Sequence, residues 1–492
     1  MRKSGILLHI SSLPGKGGIG TLGKEARVFA DFLQQSGMSI WQVLPMGPTG
    51  YGESPYQSSS IFAGNPMLIS LEPMRDEGLV QFDDSELYVP QDECRVDYDA
   101  VRANKEMLLH RAFETSEEAL REEIDAYVAK TFWVHDFALF TAIKQHFGNQ
   151  MWQKWPDDIR LRKKAAIARY EKELDKEIRY HAFCQYIFHC QWVSFKAYCN
   201  ERGISLFGDM PIYVAEDSAD TWTQPEVFQM DKNRMLTKVA GVPPDYFSAD
   251  GQLWGNPLYR WKYLENRDFY WWVTRMDVMS QMYDMIRVDH FIGFANYYSI
   301  PQGAPNARCG KWILGPGKKL FTCLKEKLPH LNVVAEDLGE VNDRVRDLLK
   351  FVGYPGMKVA LFGFDTDETN IHYVHNFPEN CIAYTGTHDN NTVRGWYEKA
   401  SPDVQHFARI TFHFHNEEDV SAAFIRGVMN SNANTAILPM QDILALNDDC
   451  RMNTPGTTGS SWTWRMAPNT YSQGLVDYLR GLNIQSRRGT IG

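Results

Sequence analysis

Eight short apolar runs, each breaking off into polar residues, recur along this chain of 492 residues and alternate with helix-like stretches. They are Ile6 to Ile10, Ser39 to Leu44, Ser205 to Asp209, Met285 to Asp289, Asn332 to Glu336, Met357 to Phe362, Cys381 to Thr385 and Thr435 to Pro439. Runs this short and this apolar read as parallel strands buried on both faces. Helical patterns stand at Glu25 to Ser36 and at Asn342 to Phe351, the second opened by an N-capping Asn and closed before a Gly. Eight such strands alternating with helices predict a (β/α)8 barrel, whose active site gathers at the C-terminal ends of the strands.

The spacing of the runs is uneven, and that also constrains the fold. Between Leu44 and Ser205 the chain is far longer than one crossover helix needs. That stretch holds a charged helical segment (Asn104 to Lys130), an aromatic one (Phe132 to Gly148) and a third (Tyr170 to Glu201) leading into the next strand. A second excursion runs from Asp209 to about Asp284. With no internal repeat and no low-complexity linker, the expectation is one barrel domain over 1–492 with subdomains inserted at approximately 65–200 and 210–283. Insertions above the strand ends are how a barrel acquires a cleft.

Three carboxylates stand where apolar runs end: Asp289, Glu336 and Asp389. Alone, each could be an ordinary helix cap or helix-terminal acid. In Arg287-Val288-Asp289-His290 the guanidinium lies two residues before the acid, on the same side of a strand, where it keeps the carboxylate ionised as a nucleophile requires. In Ala335-Glu336-Asp337 the two acids face opposite ways, so only Glu336 serves the inward site. A general acid must start protonated, which calls for burial or neighbouring carboxylates to raise its pKa. In Gly386-Thr387-His388-Asp389-Asn390-Asn391, His388 beside Asp389 fits hydrogen bonding to hydroxyls better than metal binding, because no second histidine stands at ligand spacing. No metal and no cofactor is expected.

Two loops place aromatic rings among hydrogen-bonding groups: Gly50 to Ser58, with Tyr51, Ser54 and Tyr56, and Gln252 to Tyr259, which reads as a turn carrying Trp254 and Asn256. A third, Asn453 to Arg465, follows the eighth strand and reads either as a mobile lid or as a plain surface loop. None is a phosphate-cradling loop. The formal charge of -10 argues against nucleic acid as a partner. Aromatic residues make up 13% of the chain, which suits stacking on sugar rings. Eight scattered cysteines read as reduced thiols of a cytoplasmic protein, the N-terminal apolar stretch is too short for a signal peptide, and no run is long enough to span a membrane.

The motifs taken together resemble those of the 4-α-glucanotransferases, the amylomaltases or disproportionating enzymes of the α-amylase-like superfamily. Leu8 to Pro14, Gly50 to Ser58, Gly208 to Asp217, Leu253 to Tyr259, the three acid motifs and Met452 to Thr457 carry the resemblance, in that order, over essentially the full length. It implies Asp289 as nucleophile, Glu336 as acid/base and Asp389 as transition-state stabiliser. It further implies Arg287, His290, His388, Tyr56, Asp209, Trp254, Asn256 and Ser54 around the donor sugar, and Tyr51 at a secondary glucan contact. The implied reaction moves a segment of an α-1,4-glucan donor onto the 4-hydroxyl of a sugar acceptor through a covalent glucosyl-Asp, with the acids ~5–5.5 Å apart as retention requires. A hydrolase on the same site is the nearest alternative. Ile292 departs from the family pattern, which often has Arg there. The sequence leaves monomer and homodimer equally open.

Overall fold

The computed structural model describes residues 2–244, 249–339, 341–365, 367–416, 419–457 and 459–489; the side chain of Tyr51 lies outside the described set. Its centre is a closed barrel of eight parallel strands, β1 (Lys3–Leu7), β2 (Ile40–Gln42), β3 (Ser205–Pro211), β6 (Met285–Asp289), β9 (Val333–Ala335), β10 (Gly356–Val359), β11 (Cys381–Tyr384) and β12 (Thr435–Pro439). They neighbour one another in that order, and β12 returns to β1. All eight expected strands are present. β1 ends three residues early because Ile10–Ser12 turns into a 3-10 helix.

Close approach around the barrel depends on a residue without a side chain. Gly5 pairs with Ile40, and a Cβ on Gly5 would lie 2.3 Å from the Ile40 carbonyl oxygen. Backbone cannot retreat as a flexible side chain can, so Gly5→Ala is expected to cost ~1–3 kcal/mol. A lower urea midpoint with an unchanged slope would register it.

The helices follow their sequence signals. Lys24–Gln35 and Asp343–Val352 form as expected. In the second, the side-chain oxygen of Asn342 accepts the N–H groups of Arg344 and Val345, and Gly353 ends the helix with φ +73°. Between β2 and β3 the charged stretch divides into Tyr98–Ser116 and Arg121–Lys130, followed by Val134–His146, Lys164–Glu173 and the long Asp175–Glu201.

A second sheet was not foreseen. It is antiparallel, in the order β5 (Gln252–Pro257), β4 (Lys238–Val242), β7 (Asn296–Pro301), β8 (Lys311–Leu314). Two excursions build it, one between β3 and β6 and one between β6 and β9. Gly241 and Gly255 interrupt two of its strands, and all four residues of β8 are exposed, so these strands lack the long apolar runs of the barrel. Trp254 therefore stands on a strand, β5, and not on the turn expected of it. Among the described residues, no helix is long and apolar enough to cross a membrane.

Candidate active site

Alternation along β6 brings Arg287 and Asp289 to the same face, as expected. The Arg287 guanidinium reaches Asp289 Oδ1 at 2.9 Å and both carboxylate oxygens of Asp209 at 2.7 and 2.6 Å. Asp209 comes from β3, opposite Arg287 in the register. Its carboxylate also accepts the Tyr56 hydroxyl at 2.8 Å. Burial alone would lower the Arg287 pKa, but Asp209 and Asp289, with Tyr56 and Glu336 behind them, hold it well above its ordinary value. Arg287 is thus a fixed cation shared between a buried carboxylate and the candidate nucleophile.

Glu336 directly follows β9, the neighbour of β6. One carboxylate oxygen accepts the His290 N–H at 2.7 Å and the other the Leu338 N–H at 2.7 Å. His290 adopts a left-handed conformation (φ +50°), so the chain turns sharply after Asp289. That turn places the acid of β9 against the residue next to the acid of β6. Burial, with Asp289 beside it, pushes Glu336 up to about 8 against the pull of Arg287 and the two N–H donors. The protonated form prevails at neutral pH, as a general acid requires. Asp337 faces away, accepting the Met357 N–H at 2.7 Å and pairing with Lys358.

Asp389 lies on the loop after β11. Its Oδ1 accepts the Asn453 amide at 2.6 Å, and Oδ2 lies 3.2 Å from His388 Nε2. Burial would raise its pKa, but His388, Asn453 and Arg287 outweigh it and hold the carboxyl well below the usual range. Two neighbouring acids therefore sit in opposite protonation states, Glu336 protonated and Asp389 ionised. Such a separation allows one site to run acid and electrostatic chemistry together.

The remaining candidates differ in what they can offer. Tyr56 stacks on His388 with ring centroids 5.2 Å apart, and Trp462 flanks both rings. Trp254 meets the His290 ring edge-on at 4.9 Å. Burial lowers His290 to about 4, so its imidazole is neutral; its Nε2 is buried without a hydrogen-bond partner. The Ser54 hydroxyl caps the turn by accepting the Tyr56 N–H, which aims Tyr56. Asn256 donates its amide to the Val214 carbonyl at 2.8 Å, a brace between the small sheet and the barrel rim. Tyr51 cannot be placed, since its side chain lies outside the described residues. Ile292 is buried in the turn after His290.

The ends of the loop after β12 are strapped down. Trp462 donates its N–H to the Met452 carbonyl at 2.6 Å and accepts the Tyr98 hydroxyl at 2.8 Å. Val96 and Arg465 extend the strap through Thr463 and Cys94. Tyr98 to Ser116 belongs to the insertion after β2, so residues distant in sequence fix the wall beside His388. Sequence reasoning also gave no role to Asn453 or Arg451. Both stand in or beside the Met452 to Thr457 motif, but polar residues within a Thr- and Gly-rich loop give no sign of which will turn inward.

The arrangement gathers a carboxyl that holds its proton, an ionised carboxylate and a carboxylate paired with a buried guanidinium. Among the described residues, no group of three or more His, Cys, Asp or Glu side chains could hold a metal ion.

Comparison with known proteins supplies a family. A family model described as 4-alpha-glucanotransferase matches residues 8–470. The 4-alpha-glucanotransferase of Clostridium butyricum is 43% identical over 96% of this chain and 97% of its own, and that of Thermus thermophilus 44% identical over 96% of each. The solved structure of amylomaltase from Streptococcus agalactiae in complex with acarbose is 41% identical and superposes with a TM-score of 0.98 over 100% of both chains.

Proposed function

The chain belongs to the 4-alpha-glucanotransferase family, and from that premise we propose a retaining double displacement on α-1,4-glucans with Asp289, Glu336 and Asp389 in distinct roles. Asp289 attacks the anomeric carbon of the donor while Glu336 gives its proton to the departing oxygen. The reducing-end fragment leaves, and the remaining glucan is held as an ester on Asp289. Glu336, now ionised, takes a proton from the 4-hydroxyl of an acceptor glucose or glucan, which attacks the same carbon and restores the α-linkage. Asp389, ionised and oriented by Asn453, accepts hydrogen bonds from donor-ring hydroxyls that strengthen as the ring gains oxocarbenium character. The observation that carries this reading is the contact between the Glu336 carboxylate and the N–H of His290, the residue after Asp289. It supports a placement of acid and nucleophile side by side at adjacent strand ends.

Around them, Tyr56, His388, Trp254 and the unpartnered His290 Nε2 supply stacking faces and a neutral hydrogen-bonding ring for the donor sugar. Acarbose, bound by the Streptococcus relative, is expected to bind this site as well. The described cysteines are all free, which supports a cytoplasmic setting.

Two experiments test the reading. Maltotriose as sole substrate should yield glucose together with a ladder of longer oligomers; a set of shortened products only would mean that water is the acceptor. The pH profile tests the proton on Glu336. A carboxyl raised to about 8 is protonated below that pH and loses its proton as pH rises through it. The alkaline limb of kcat/KM should therefore fall with a midpoint near that value. A profile still flat beyond pH ~9 would remove Glu336 from the acid role.

A further inference from the structure

Asp389 rests on no strand. It rides a polar loop with a side chain still partly open to the cleft, so something must fix its direction. One guanidinium binds this loop at two points. Arg451 donates from Nη2 to the Asp389 carbonyl at 2.7 Å, from Nη1 to Asn391 Oδ1 at 3.1 Å and from Nε to the Asn453 carbonyl at 2.9 Å. Asn453 completes the circuit, donating its amide to Asp389 Oδ1 at 2.6 Å and its backbone N–H to the His388 carbonyl at 3.0 Å. Arg451 is itself anchored, its N–H bonding to the Asp448 carbonyl. The Asp448 carboxylate in turn binds the Asn391 amide, the Thr392 N–H and Lys399.

We propose that Arg451 is a positioning residue for the transfer reaction: it clamps the Asp389 loop to the chain carrying Asn453 and thereby sets the direction of the Asp389 carboxylate. Three donors in one rigid plane reach three acceptors on two segments, which a lysine ammonium on a flexible stem cannot reproduce. The inference rests on the role given to Asp389 above. It predicts an effect on the bond-making and bond-breaking steps and little on substrate capture, because Arg451 acts on the orientation of another group.

The test is a double-mutant cycle on maltotriose disproportionation, with thermal unfolding as a check on folding. Arg451→Met should lower kcat by ~10–100-fold with KM within about twofold, and Arg451→Lys should recover little of the loss. In an Asp389→Asn background the same substitution should cause no further fall, since the group it positions is already gone. If Arg451→Met does not fold, Asn391→Ala removes one arm of the clamp and should show a smaller drop with the same non-additivity. A loss that multiplies in the Asp389→Asn background, or one carried by KM alone, would overturn the clamp while leaving the role of Asp389 intact. An Asp389→Asn variant with unchanged kcat would instead overturn the role of Asp389 itself, and the clamp with it.

Discussion

Replacing Asp289 with Asn is expected to abolish glucan transfer, with kcat lower by ~10⁴–10⁶-fold, while the fold and the affinity for maltooligosaccharides persist. The change removes the attacking charge and little else. Asp289 is the one partner of Arg287 that faces the cleft, its side chain 28% exposed against 0% for Asp209. Arg287 keeps its bidentate pair with Asp209, so no buried charge is stranded and stability should change little. Glu336→Gln should be nearly as damaging with natural glucans, whose leaving oxygen needs a proton. From a glucosyl fluoride the fluoride ion departs without one, so that donor should recover the first step in Glu336→Gln and not in Asp289→Asn. Initial rates with the two donors in the two variants separate the roles, and equal behaviour of both variants would merge them.

Arg287→Met is expected to damage stability and activity together. It leaves Asp209 as a buried carboxylate without its cation, at a cost of ~3–5 kcal/mol, and frees Asp289 from the guanidinium that aims it, for ~10²–10³-fold in kcat. The two effects come apart in a second variant. Adding Asp209→Asn removes the stranded charge and should return most of the lost stability, read as the urea midpoint, while kcat stays low. Recovery of both together would mean that Arg287 acts on the reaction only through the fold.

The barrel was legible because its strands are covered on both faces and so carry mostly apolar runs. The acids were legible because they end those runs, and Arg287 because strand alternation assigns it a side. Each of these follows from local sequence. The small sheet was not legible: β8 is wholly exposed and glycines break β4 and β5, so solvent and tertiary pairing decided what propensity could not. Arg451 and Asn453 escaped notice for a related reason. Their importance lies in contacts with a loop some sixty positions away, and nothing within a Thr- and Gly-rich stretch announces such a partner. The strapped ends of that stretch belong to the same class, because the hydroxyl of Tyr98 and the backbone of Val96 reach it from an insertion more than three hundred residues earlier. A composition that suggests a mobile lid says nothing of the remote segment that fastens it.

The divided protonation of the site ties these elements to the chemistry. Glu336 holds its proton because it is buried; Asp389 loses its proton because His388 and Asn453 outweigh burial; Asp289 stands beside a cation that the fold cannot neutralise. Only the covalent step joins all three. It can be caught with an α-maltotriosyl fluoride blocked at its non-reducing 4-hydroxyl, which can donate a glycosyl group but cannot accept one. With the Glu336→Gln variant, whose second step is slowed, intact-protein mass spectrometry should show one added maltotriosyl unit, and peptide mapping should locate it on Asp289. A label on any other side chain, or turnover of this donor to a product of inverted anomeric configuration with no adduct, would contradict the double displacement.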